Sequence, residues 1–165
     1  MGKESFNKRK ILLIKNFNRE LKKRIVKTTV WSVTLYACET WTLKQNNIKK
    51  LEAFEMWLWR KIEGIKWQDH ITNEEVLNKV GEKRSLINTI TRRQKNWIGH
   101  ILRGNNLIKE LIEGRLYGKK RRGKPRQQML DFIMGRKTYV EMKRLAQDRK
   151  SWRKQNHRPV NRRNT

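Results

Sequence analysis

Three aspartates, Asp69, Asp131 and Asp148, and one adjacent acidic pair, Glu74-Glu75, are the side chains with which this chain could hold divalent metal ions. Two-metal nucleotidyl transfer or hydrolysis needs carboxylates gathered so that the ions stand about 3.5–4 Å apart. Here the aspartates are scattered, and Glu74-Glu75 falls in the first turn of an expected helix, where negative charge favours the helix dipole. No Walker loop, GxSxG elbow or HExxH helix occurs. His100 offers a ligand or a general base, but no second His or Cys stands at ligand spacing and no nucleophile can be named beside it. It reads as a histidine at a helix boundary. Cys38 lies among apolar neighbours and reads as a small buried residue. As the only cysteine it excludes an intramolecular disulfide and fits a reducing compartment. These residues point to no catalytic site, no metal, no cofactor and no small-molecule substrate.

Cations are the abundant chemistry. Lys and Arg number 42 against 15 Asp and Glu, a net charge of +27, unevenly spread. Residues 1–38 carry +8, residues 39–80 are neutral with seven groups of each sign, and residues 81–114 carry +4. Residues 115–165, with eighteen basic and three acidic groups, carry +15. A balanced centre with loaded ends suits a folded body with electrostatic arms, and the matching partner is a polyphosphate, RNA or DNA. The densest run is Lys119-Lys120-Arg121-Arg122-Gly123-Lys124-Pro125-Arg126, six basic residues in eight. Its Arg122-Gly123-Lys124-Pro125-Arg126 pentad is close to an AT-hook, whose extended backbone runs cations along a minor groove. A basic linker or a nuclear localisation run fits the same residues.

The elements that must position these cations are helical. Apart from Gly2, no Gly occurs before Gly64 and no Pro before Pro125, and apolar residues recur at helical spacing. The pattern predicts helices over roughly 8–36 and 46–63. In the second, Ile48, Leu51, Phe54, Leu58 and Ile62 share a stripe, with Trp57 and Trp59 at its edges, placed to seal a core. Thr72 and Glu75 spell a capping box for a short helix that stops at Gly81. From about Lys83 to Arg103, Leu86, Ile90, Trp97 and Ile101 align on one face, while the opposite face carries Arg92, Arg93, Lys95 and Arg103, for solvent or phosphate. A segment with Leu107, Leu111 and Ile112 follows, then Pro125 at the first turn of a helix containing Met129, Leu130 and Ile133. A last amphipathic stretch spans about 137–154. The expected fold is all-α: a small multi-helix bundle with a basic linker, a C-terminal helix and a disordered tail. The chain divides into a helical domain over 1–114, a basic arm over 115–126, a helical segment over 127–155 and a tail over 156–165. At 165 residues, with 36% apolar composition and seven Trp, it can fill a modest core. The early apolar run Ile11-Leu12-Leu13-Ile14 is too short for a membrane span or a signal-peptide core.

Several blocks read together: Trp31-Ser32-Val33 with Leu35-Tyr36 and Glu39-Thr40-Trp41-Thr42; Leu51-Glu52-Ala53-Phe54-Glu55-Met56-Trp57 with Trp59-Arg60; Asn73-Glu74-Glu75-Val76-Leu77; Trp97-Ile98-Gly99-His100-Ile101-Leu102-Arg103; Ile112-Glu113-Gly114; and the pentad at 122–126. In that order and spacing, from about residue 3 to 153, the chain resembles the C-terminal end of reverse transcriptases of non-LTR (LINE-type) retrotransposons. The resemblance implies that the first helices correspond to the end of a polymerase thumb and the later ones to a post-thumb region, parts that grip template and primer. It implies that fingers, metal-binding palm and endonuclease would precede residue 1, so no catalytic residue is carried over. Three positions depart from the pattern. Ala37 stands where relatives usually carry Gly, Phe132 where they often carry a second Asp, and Asn106 where many carry Cys, so no zinc pairing with His100 is carried over either.

The expectation is a nucleic-acid-binding fragment of a retroelement reverse transcriptase with no catalytic site of its own, nuclear or cytoplasmic and not secreted. A genomic remnant without selected function and a truncated form of a full RNA-directed DNA polymerase are the alternatives. The phosphate contacts expected are Arg92, Arg93, Lys95 and Arg103 on the helix face, with Lys119, Lys120, Arg121, Arg122, Lys124 and Arg126 in the arm.

Overall fold

The computed structural model describes residues 1–9, 17–105, 107–113, 129–135 and 137–156. Among these the regular elements are helices, ten of them α-helical, and the fold is all-α. The basic arm over 115–126 and the tail beyond 156 lie outside the described residues. The chain forms two compact units that do not follow simple chain order: one comprises residues 1–37 and 45–87, the other residues 38–44 and 88 onward.

In the N-terminal unit, α1 (Gly2–Asn7) sets Phe6 edge-on to Trp57, with ring centroids 5.4 Å apart, and Lys3 Nζ over the same indole. The helix expected over 8–36 is broken up. Asn18 caps a fresh start by accepting the Glu20 N–H at 2.8 Å, opening α2 (Arg19–Ile25). A π-helical turn over Val26–Val30 then leads into α3 (Trp31–Thr34). The reason lies in the run Val26-Lys27-Thr28-Thr29-Val30. β-Branched side chains crowd the preceding turn, and two threonine hydroxyls donate back to carbonyls of that turn, Thr28 to Arg24 and Ile25, Thr29 to Ile25 at 2.6 Å. Such back-bonding competes with the ladder and widens it. Just beyond α3, Ala37 holds φ at +53°, the left-handed region where glycine is at ease.

Helix α4 (Gln45–Glu63) matches the expected 46–63 closely, burying Ile48, Met56, Leu58, Trp59 and Ile62. Trp59 is fully buried and Trp57 half-buried, so both serve packing. Helix α5 (Asn73–Val80) is bounded as the sequence dictates. Thr72 and Glu75 complete the capping box reciprocally, and Gly81 ends the helix at φ +68°. Arg60 Nη2 ties the loop between these helices by donating to the Ile71 carbonyl and Asn73 Oδ1.

In the C-terminal unit, α6 (Leu86–Arg103) supplies the main wall from residue 88 onward. It is joined by α7 (Leu107–Glu113), α8 (Met129–Met134), α9 (Tyr139–Gln147) and α10 (Arg149–Asn156). Ile98, Leu102, Met142, Ala146 and Trp152 form its core, and Trp97, Leu130, Ile133 and Leu145 pack around them. The stretch expected as one helix over 137–154 splits at Asp148. Its carboxylate accepts the Lys150 and Ser151 N–H groups and the Ser151 hydroxyl, starting α10 in a new direction. Cys38 is fully buried, and burial pushes its thiol pKa up, as a packing role requires.

A candidate phosphate-binding face on the C-terminal unit

Helix α6 can face two ways because its polar residues recur in a line. Arg92, Asn96 and His100 are spaced by four and Arg103 follows three further on, so they share one side of the helix. Arg92, Asn96 and His100 are exposed on that side, whereas Ile90, Ile98, Ile101 and Leu102 are buried on the other.

The four helix-face cations expected to meet phosphate are not equivalent. Arg92 is exposed. Arg93 is exposed on the flank, its Nη1 3.9 Å from the Glu39 carboxylate, which partly counters its charge. Lys95 is half-buried, and burial, aided by the nearby Lys137 charge, holds its pKa below the usual lysine value. Arg103 is half-buried too. Its Nη1 donates to the Ala146 carbonyl at 2.8 Å, and its pKa is lowered by burial first and then by repulsion from Arg149 and Arg153. Arg92 and Arg103 thus share the exposed line, with Arg93 and Lys95 to either side. The six arm cations, Lys119, Lys120, Arg121, Arg122, Lys124 and Arg126, lie outside the described residues.

What seats α10 beside this line is Gly99. A Cβ at position 99 would run into the Trp152 indole, so only glycine lets that ring lie against the helix. Trp152 Nε1 then donates to the Lys95 carbonyl at 2.9 Å, and Gln147 Nε2 donates to the Leu102 carbonyl at 3.3 Å. Exposed Arg149, Lys150, Arg153 and Lys154 are carried in with the helix. Sequence reasoning overlooked Arg149 and Arg153, although their spacing of four, straddling Trp152, was the available signal. It also overlooked Glu55, which occupies an apolar-stripe position between Leu51 and Leu58 and is buried.

Several of the carboxylates are engaged at helix ends. Asp69 accepts the Lys66 N–H at 2.7 Å, Glu75 closes its capping box, Asp148 caps α10, and Glu55 caps the start of α6. Among the described residues no group of three His, Cys, Asp or Glu could hold a metal ion, and no helix is long and apolar enough to cross a membrane. His100 sits exposed in the last turn of α6. Such a face can offer guanidinium and ammonium donors to anions. Comparison with protein-family models, with curated proteins and with solved structures finds no match to this chain.

Proposed function

We propose that this chain binds RNA or DNA through backbone phosphates, as a helical fragment of the non-LTR reverse-transcriptase kind that carries no catalytic site of its own. The observation that supports this most directly is the polar line of α6, where exposed Arg92 and Asn96 and half-buried Arg103 stand with no acidic residue between them. The lopsided charge supports it as well: a net +15 over residues 115–165 has no counterpart in the balanced centre of the chain. The binding expected is tolerant of sequence, because phosphate contacts fix position and carry no base information. The acidic residues support the non-catalytic part of the reading. Asp69, Glu75 and Asp148 each give one carboxylate oxygen to backbone N–H groups at helix starts.

Titration of a labelled duplex with the full chain across a salt series tests the reading. If roughly six phosphates are neutralised, log K falls with log salt at a slope of about −5 on DNA. A slope near zero, or no binding at low salt, overturns it. Primer extension with Mg²⁺ or Mn²⁺ that stays with the folded protein through stringent washing would overturn the non-catalytic part.

A further inference from the structure

The C-terminal unit packs α10 and the end of α9 against α6, and so sets side by side two helices whose arginines the sequence holds far apart. Arg103 ends α6, and Arg149 and Arg153 stand one turn apart on α10. The two α10 arginines lie near enough to Arg103 to depress its pKa by charge repulsion, after the effect of burial. Among the described residues none of the three has a carboxylate within ion-pairing distance. Asp148, the acidic residue next to them in sequence, is already committed to capping α10 through both oxygens.

A solvated basic surface would let such groups drift apart on long side chains. Here the backbone beneath them is fixed. Arg103 is held by its bond to the Ala146 carbonyl, α10 is held by Trp152 against Gly99 and the Lys95 carbonyl, and Gln147 ties the end of α9 to Leu102. Among the described residues Ala146 takes one of the five Arg103 donors, and Arg149 and Arg153 are exposed. An anchored Arg103 beside a fixed helix that carries two exposed arginines, with no carboxylate at ion-pairing distance among the described residues, matches an anion with several acceptor oxygens, and part of the ordering cost of binding is reduced in advance.

We infer that Arg103, Arg149 and Arg153 form a clamp for a backbone phosphate of the bound nucleic acid, extending the Arg92–Arg103 line onto α10. The clamp rests on the nucleic-acid reading above, and adds to it residues and a position. A free phosphate or pyrophosphate offers the same oxygens, and the experiment separates the two sources.

The full chain and its R149Q/R153Q variant are compared by thermal melt and by salt-dependent titration of a labelled duplex, with K150Q/K154Q as a charge-matched control on the same helix. The R149Q/R153Q melt is expected to be unchanged or raised, since repulsion is relieved. Its salt slope is expected to shrink by up to about 0.9 on DNA, the share of the one phosphate that the clamp holds, and the control by clearly less. The single variants, each expected to weaken binding more than the single Lys150→Gln or Lys154→Gln change, serve if the double one unfolds. A native chain that binds while R149Q/R153Q keeps its slope, or falls no further than the control, overturns the clamp and leaves the nucleic-acid reading standing. A native chain that does not bind at all overturns both. Inorganic phosphate or pyrophosphate that raises the melt of the native chain, but not of R149Q/R153Q, and displaces no duplex would assign the clamp to a small anion and overturn the backbone assignment.

Discussion

Glycine 99 shows how one missing methyl group decides whether a face exists. A glycine inside a helix ordinarily costs about 1 kcal/mol against alanine, so Gly→Ala at an open helical position stabilises. At residue 99 the Cβ would meet the Trp152 ring, whose rigid indole cannot swing away while its Nε1 holds the Lys95 carbonyl. Gly99→Ala is therefore expected to lose stability, by about 1–3 kcal/mol as overpacking does. Chemical denaturation followed by Trp fluorescence measures the change, and a gain of stability would show that the indole does not lie on this residue. Weaker nucleic-acid binding should accompany the loss, because Arg149 and Arg153 travel with Trp152 on α10.

The start of α6 depends on a carboxylate from another helix. Glu55 of α4 is buried, and its Oε1 accepts the Ser85 N–H at 2.9 Å, the Leu86 N–H at 3.2 Å and the Ser85 hydroxyl at 3.4 Å. Burial pushes its pKa above the usual carboxylate range, against the pull of these bonds and of Arg84 toward the charged form. With the folded pKa raised, the folded state holds the proton more tightly than the unfolded one. Stability contributed by Glu55 is then greatest at low pH and declines as pH rises from the ordinary carboxylate value through the raised one. Urea melts across pH should show that decline in the native chain and lack it in Glu55→Gln, which keeps an acceptor without the charge. Glu55→Ala strands the Ser85 and Leu86 N–H groups and should cost about 1–3 kcal/mol at every pH. Equal pH dependence in the native chain and in Glu55→Gln would refute the buried ionisation. Helix boundaries carried by local chemistry are readable in the sequence: Thr72, Glu75 and Gly81 bound α5 as their types require. The π-helical turn is not, because the β-branched run that causes it leaves the apolar period intact.

For the molecule as a whole, the arm and the folded units should be separable. Neutralising Lys119, Lys120, Arg121, Arg122, Lys124 and Arg126 with Ser or Gln removes repulsion among like charges and should leave the melt nearly unchanged. Binding should weaken, with the salt slope falling by up to about 0.9 for each phosphate that the arm no longer neutralises. A minor-groove hook predicts a larger loss of affinity on A·T-rich than on G·C-rich duplex, because the narrow groove concentrates negative potential. Equal losses would indicate a plain electrostatic arm. Unchanged binding would place the whole grip on the α6–α10 face.

The all-α class, α4, α5 and the packing face of α6 follow from period, caps and glycine placement, which are local properties written in consecutive residues. Net charge and its concentration toward the C-terminal end are likewise properties of composition, and they point to a polyanion before any coordinate is known. The placing of α10, which carries Arg149 and Arg153, beside the Arg103 end of α6 is of another kind. More than forty residues separate them, and their approach depends on Asp148 turning the chain, on Gly99 leaving room for Trp152 and on Ala146 presenting a carbonyl to Arg103. The same holds for Glu55, a charge in an apolar stripe whose purpose emerges only when the Ser85 and Leu86 amides are set against it. Periodicity reports which side of a helix is apolar, and the identity of what covers that side is settled by packing between segments distant in the chain.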